Sequence, residues 1–363
     1  MGVFVPLGIF VGAIHLDPVL VFILNFLAIM TLAPILGFVT KRLSASVGYV
    51  LGELIHAMFG NAVEMTIYVA ALRVGQVDII QWSIMGSIIS YILLVLGCCL
   101  SVSGMLQLEQ TLNFTASSTM LSLMAVALAS LILPVTLYTI LQRSVADTKD
   151  AILGLSRGVA IVLLILFCVY QYFQHKSPAN FFDVEQPGDE YLHDSTEELS
   201  LKRFKAIVAL LLIMLLIVVC ADNLVGSIDS VLESTHIAQG FMSFVVLPIL
   251  GSAAGPFEAV CAAYNNKLNR GIDVVIRSVM QLTLFVMPLV VLLGWVIDQP
   301  MQLEFGFLET LCFFLGVFVV SLLVQDRKIN YLGGFICVAI YSMIALTIYF
   351  YPDDRHAWPR DPN

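Results

Sequence analysis

The chain has little charge. Asp, Glu, Lys and Arg make up 12% of its 363 residues, roughly half of what a soluble chain of this length carries. That scarcity excludes an ordinary water-facing domain. Basic residues are too scattered to form a nucleic-acid patch, and the formal net charge of −9 comes largely from one central polar stretch. The cysteines (Cys98, Cys99, Cys168, Cys220, Cys261, Cys312, Cys337) show no CxxC or Cys/His ligand spacing. They read as small buried hydrophobes with free thiols. No HExxH occurs, and the GxSxG match Gly154-Leu155-Ser156-Arg157-Gly158 falls inside an apolar run rather than at a strand-to-helix turn, which leaves an intramembrane hydrolase without its machinery. The short alternating segments of a β-barrel are missing too. So are the basic n-region and cleavage site of a signal peptide.

What the chain has is apolar length. Sixty percent of it is hydrophobic, and runs of about twenty residues, enough to cross a bilayer as helix, recur from end to end. This predicts an all-α polytopic membrane protein. Residues 1–16 hold a partial N-terminal helix, too short to span, which reads as the second half of a helix whose beginning is absent. Full spans are expected at 19–39, 48–72, 79–106, 117–141 and 151–173, then at 206–224, 238–263, 274–297, 307–324 and 331–350. Residues 17–175 form a first five-helix repeat and 206–351 a second. Between them, 176–205 is an acidic linker, and 352–363 is a tail. The linker lacks EF-hand spacing; a solvated, disordered connection and a weak calcium sensor both stay open. Lys and Arg in the loops favour one side, with Lys41, Arg42, Lys267 and Arg270 among them. That bias places the acidic linker in the cytosol.

The chain is organised around Gly60-Asn61-Ala62-Val63-Glu64. It sets a carboxylate in the middle of the 48–72 span, at a cost of about 2.5–3.5 kcal/mol on insertion scales. Such a residue is a functional site by default. Gly permits a break in the helix and Asn adds a neutral oxygen, so the stretch makes an oxygen-rich pocket of the kind hard cations take. The halves resemble each other. Gly86 follows Gly60 by 26 residues and Arg277 follows Gly251 by 26; Ser90 and Gln281 each lie 30 beyond the same glycines. Five spans per half invert the second copy, and inverted repeats with broken helices at the midplane build secondary transporters.

Several stretches are similar to the calcium/proton exchangers of vacuolar membranes, of the fungal type, a branch of the cation/calcium exchanger superfamily. They are Val5-Pro6-Leu7-Gly8-Ile9, Phe22-Ile23-Leu24-Asn25-Phe26, Phe59-Gly60-Asn61-Ala62-Val63-Glu64, Gly86-Ser87-Ile88-Ile89-Ser90, Leu93-Leu94-Val95-Leu96-Gly97 and Gly294-Trp295-Val296-Ile297-Asp298. The resemblance covers nearly the whole chain. It implies exchange of cytosolic calcium for luminal protons at paired Gly-Asn-Ala-x-Glu motifs on kinked helices. It makes Glu64 the first-repeat glutamate, Asn61 its neutral partner, and Gln81 and Ser87 contributors from the next helix. The chain also departs from the family. The second motif reads Gly251-Ser252-Ala253-Ala254-Gly255-Pro256, with Gly255 where the second glutamate belongs. Arg277-Ser278-Val279 replaces a Gly-Ser-Ser. His56 and Tyr91 stand for asparagines, and Lys41-Arg42 for an acidic pair.

Each candidate carries a plain structural reading beside the functional one. Glu64 is the central ligand, or merely the partner of Arg277 or Lys41. Glu258, three residues past Gly255 and on the same helix face, supplies the lost carboxylate or faces polar groups of another helix. Pro256 suits the first turn of a half-helix. Arg277 enters the cavity or snorkels to a helix end. Glu53 and His56 extend a proton path or form a local pair. Asp222, where the family has a Glu, guards an access vestibule or is a solvated helix end. Gln281 joins the site as the counterpart of Ser90.

These readings give a cation/proton antiporter of the vacuolar membrane, moving calcium or another divalent such as manganese by alternating access. Glu64 and Glu258 are its expected metal-binding carboxylates, and no cofactor is required. A homo-oligomer or an exchanger paralogue is a further expected partner. The rival reading is a degenerate exchanger with little or no transport, acting as a regulatory partner.

Overall fold

The structure is a computed structural model that describes residues 4–14, 17–47, 49–106, 110–111, 114–141, 148–176, 196–235, 237–251, 254–303, 305–325, 328–329 and 331–351. Helix α1 is Phe4–Ile14, α2 Pro18–Ser46, α3 Tyr49–Gly60 and α4 Ala62–Arg73. Helix α5, Val77–Leu106, contains a π-helical turn at Ser90–Val95. Helices α6 (Phe114–Leu141), α7 (Thr148–Lys176) and α8 (Thr196–Thr235) follow. Helix α9 covers 239–251 with a π turn at Met242–Val246, and α10 is Ala254–Tyr264. Helix α11, Leu268–Ile297, has its own π turn at Leu282–Val286. Helices α12 (Phe307–Gln325) and α13 (Tyr331–Tyr349) complete the fold.

Among the described residues, six helices are long and apolar enough to cross a membrane, and the bent pair α3/α4 makes a seventh. The local reasons are visible in the sequence. Asp17 caps α2 by accepting from Val19 N–H at 3.0 Å, and Pro18 takes the first turn, where a missing N–H costs nothing. Helices α3 and α4 meet at 57° around Asn61, whose φ of −107° and ψ of 18° leave the helical region.

The two halves run in one order. A long helix (α2, α8) precedes two shorter ones (α3 and α4, α9 and α10). Next comes a long helix with a π turn (α5, α11), then two more helices. The turn after the second of these shorter helices uses a left-handed residue in each half, Gly75 (φ 79°) and Asn266 (φ 58°), the residue types that tolerate it. Each lies 15 residues past its leading glycine, Gly60 or Gly251. The second half thus repeats the order of the first, as inverted repeats do.

Close helix approaches rest on small residues, as they must where lipid competes equally for apolar surface. A Cβ added to Gly86 on α5 would collide with the Phe244 carbonyl on α9. Gly97 and Gly104 do the same for α13, against Gly334 and Tyr331. The strands β1 (Gln110–Thr111) and β2 (Lys328–Ile329) pair antiparallel, with Gln110 opposite Ile329. They tie the α5–α6 and α12–α13 connections together at one end.

Three expectations change. Helix α8 does not end at Leu224 but runs on to Thr235, so Asp222 lies within a continuous helix; a short run of polar residues is no barrier to a helix with apolar neighbours on both sides. Helix α8 also begins at Thr196, inside the expected 176–205 linker, so Lys202, Arg203 and Lys205 ride on it. Helix α11 begins at Leu268 rather than Val274. Arg277 is therefore about 13 Å along its axis, deeper than a helix-end residue. The linker residues 177–195 and the tail 352–363 lie outside the described residues.

Candidate cation site

Glu64 sits in the first turn of α4, two residues after its N-terminal residue. The break at Asn61 exposes the N–H groups of a new helix start, and that end carries partial positive charge. The carboxylate is 2% exposed. Its Oε1 accepts from Ser87 Oγ of α5 at 3.1 Å. Its Oε2 is buried with no hydrogen-bond partner. Gly251, the last residue of α9, lies directly on the Glu64 side chain; a Cβ there would meet Glu64 Cγ. The two motif glycines thus differ in duty. Gly60 precedes the break of its own helix, whereas Gly251 makes room for a side chain from the other half.

Asn61 does not cap α4 with its side chain. Its Nδ2 turns away to donate to Gln281 Oε1 at 3.1 Å and to Ala57 O at 3.3 Å. Gln281 is the last residue of α11 before the π turn, and Ser90 opens the π turn of α5. Gln281 Nε2 is buried and without a hydrogen-bond partner. One turn past Glu64, Tyr68 is buried with the Ser83 and Ser87 hydroxyls beside its own. Buried polar atoms are nearly always satisfied, and each one left unpaired costs about 1–3 kcal/mol. Two such atoms, Glu64 Oε2 and Gln281 Nε2, on α4 and α11 mark a place prepared for something else.

The sequence-derived candidates divide. The structure brings Glu64, Asn61, Ser87 and Gln281 together. Gln81 is buried on α5 but lies about 9 Å along the axis from Ser87, and its Nε2 donates to Gln302 O at 3.1 Å. It serves the α11–α12 connection. Glu258 is a correction. It does not replace the missing carboxylate beside Glu64; Lys41 Nζ of α2 donates to its Oε1 at 2.8 Å, with Arg270 Nη2 at 3.8 Å. The pair is well exposed. Lys41 in turn is the partner of Glu258 rather than of Glu64.

Asp222 faces Arg73 Nη1 at 3.6 Å, again exposed, bridging α8 to the end of α4. His56 lies on α3, half-buried, with its imidazole ring near Gly60 and in electrostatic reach of Glu258. Arg277 is half-buried on α11, one turn before Gln281 and on its face. Pro256 is in the first turn of α10. Ser252 and the Glu53 side chain lie outside the described residues. Sequence reasoning missed Tyr91 as a packing partner. It is buried on the π turn of α5, and its Oη would stand 2.7 Å from a Cβ at Gly255. The signal was present, since both positions depart from the family pattern, but nothing in the sequence joined them.

Among the described residues no group of three or more His, Cys, Asp or Glu side chains gathers to hold a resident metal. What the site offers a hard cation is oxygen: one carboxylate, one hydroxyl and two amides.

The comparisons agree with this architecture. The pattern of the family described as sodium/calcium exchanger protein matches residues 18–176 and 205–350. The vacuolar calcium ion transporter of Schizosaccharomyces pombe is 37% identical over 352 residues, covering 97% of this chain and 84% of that protein. The Ca(2+)/H(+) antiporter of Aphanothece halophytica is 31% identical, covering 96% and 95%. The solved structure of native YfkE superposes with a TM-score of 0.80 at 24% identity, covering 96% of this chain and 98% of that one, and shows the shared fold. This chain belongs to the sodium/calcium exchanger family.

Proposed function

We propose that the protein is a secondary antiporter that moves calcium, or a similar divalent cation such as manganese, across the vacuolar membrane in exchange for luminal protons. The single observation that carries this is Glu64: a buried carboxylate at a helix break, with one oxygen held by Ser87 and the other unpartnered. A proton or a cation completes it, and the two exclude each other. That exclusion is the chemistry of exchange. Relatives named as a vacuolar calcium ion transporter and a Ca(2+)/H(+) antiporter support the ions and the compartment.

Cytosolic calcium reaches Glu64, with Ser87, Asn61 and Gln281 supplying neutral oxygens. The amide link between Asn61 and Gln281 joins the halves, so cation binding there acts on both. Protons from the acidic lumen neutralise Glu64 and release the ion, and the protonated site returns. Arg277, on the face of Gln281, supplies positive charge on the access side. The degenerate reading has less support, because the site keeps its carboxylate and its unpaired polar atoms. The proposal extends to association with a second copy or an exchanger paralogue, for which cross-linking in native membranes is the test.

The test of transport is calcium uptake into sealed vesicles that contain the purified chain and have an acid interior. Uptake that collapses with the pH gradient, and in Glu64→Gln, is expected. Folded protein that takes up neither calcium nor manganese would sink the proposal.

A further inference from the structure

The two halves differ at the site, and the difference has a physical cause. Aligned on Gly60 and Gly251, Glu64 matches Gly255, each four residues on. A Cβ at Gly255 would stand 2.7 Å from Tyr91 Oη, closer than such atoms approach. Tyr91 is buried and lies one turn beyond Ser87, which holds Glu64. Its phenol therefore fills the volume in which the second half's counterpart of Glu64 would begin.

Among the described side chains, no other carboxylate takes that place. Among the described residues, the buried carboxylates are Glu64 and Glu309. Glu309 is committed elsewhere: its Oε2 accepts from Gly306 N–H at 2.6 Å, the reach-back contact of a capping box at the start of α12. Glu258 is held by Lys41 and Arg270.

We infer that Tyr91, by occupying the second carboxylate's place, makes this a one-carboxylate exchanger that returns a single proton per divalent cation and so moves net charge. The inference rests on the antiporter reading above. Its balance is simple. The Glu64 carboxylate carries the divalent cation across with net charge +1. It returns as the neutral acid, and the only covalent bond made and broken is its O–H bond. Each turnover moves one divalent cation inward and one proton outward, leaving one positive charge in the lumen.

Voltage reads this directly. The full-length chain in liposomes is given a one-unit pH gradient, and potassium with valinomycin sets the potential. At zero potential, one proton per calcium supports about a tenfold calcium gradient and two protons about a hundredfold. With one proton, each 100 mV of lumen-positive potential lowers the attainable gradient about fiftyfold. We expect the tenfold limit and that opposition. A hundredfold limit with no voltage dependence overturns the inference and leaves the antiporter standing. Failure to take up calcium at any potential overturns both. In the paired variant Gly255→Glu with Tyr91→Asn, the voltage dependence is expected to disappear. Gly255→Glu alone is expected to lose uptake; voltage-independent uptake from it would show that Tyr91 is no obstacle, and would sink the inference.

Discussion

Asn61 Nδ2 donates to Gln281 Oε1 at 3.1 Å, and the two residues come from opposite halves of the chain. Each sits where its helix departs from regular α geometry, at the α3/α4 break and at the α11 π turn. The bond is buried, so its loss strands one amide when the other is removed. Asn61→Ala and Gln281→Ala are each expected to raise the calcium concentration for half-maximal uptake. The double variant should fall short of the summed effects by about 0.5–3 kcal/mol, the usual coupling of residues in direct contact. Additive losses would mean that the amides act separately.

Gly251 should tolerate nothing larger. A methyl group there meets Glu64 Cγ, and the carboxylate must move or the helices must part. Overpacking of this kind costs about 1–3 kcal/mol. Gly251→Ala is therefore expected to cut uptake severely while the helical content by circular dichroism stays. Wild-type uptake in this variant would contradict the contact.

Glu258→Gln is expected to be mild. The Lys41–Glu258 pair is 62% and 43% exposed in its side chains, and exposed ion pairs contribute about 0–1 kcal/mol. Calcium uptake should stay close to wild type, in contrast to Glu64→Gln. Abolished uptake in Glu258→Gln would restore it as a ligand.

Gly86 meets a backbone carbonyl, which cannot rotate away as a side chain does. Gly86→Val should lower the thermal unfolding midpoint of the detergent-purified protein, by an amount matching the about 1–3 kcal/mol of an overpacked contact. An unchanged midpoint would show that α5 and α9 have room to part.

Much of this was legible in the sequence. Apolar runs gave the helices, and Gly60-Asn61 gave the break at Glu64, because a carboxylate in an apolar run is rare for an energetic reason. The repeat spacing gave Gln281. The rest depends on contacts that sequence spacing does not encode. Lys41 and Glu258 are 217 residues apart, and the i, i+3 argument for Glu258 gave its helix face but not what that face meets. Tyr91 and Gly255 are joined only by the crossing of two helices. The continuation of α8 through Asp222 was hidden by Asp222 and Asn223, which read as the end of an apolar run. The π turns leave no mark in composition or periodicity.

Those π turns store information of another kind. A π turn takes up one residue more than an α turn, which rotates everything after it by about 100°. Before its π turn, α5 offers Ser87 to Glu64; after it, the same helix offers Gly97 and Gly104 to α13. Deleting one residue within Ser90–Val95 would leave a helix of nearly the same length and composition. Yet Gly97 would no longer face Gly334, and bulkier neighbours would take its place. The address of each face of α5 is held in a count of residues, not in their identities.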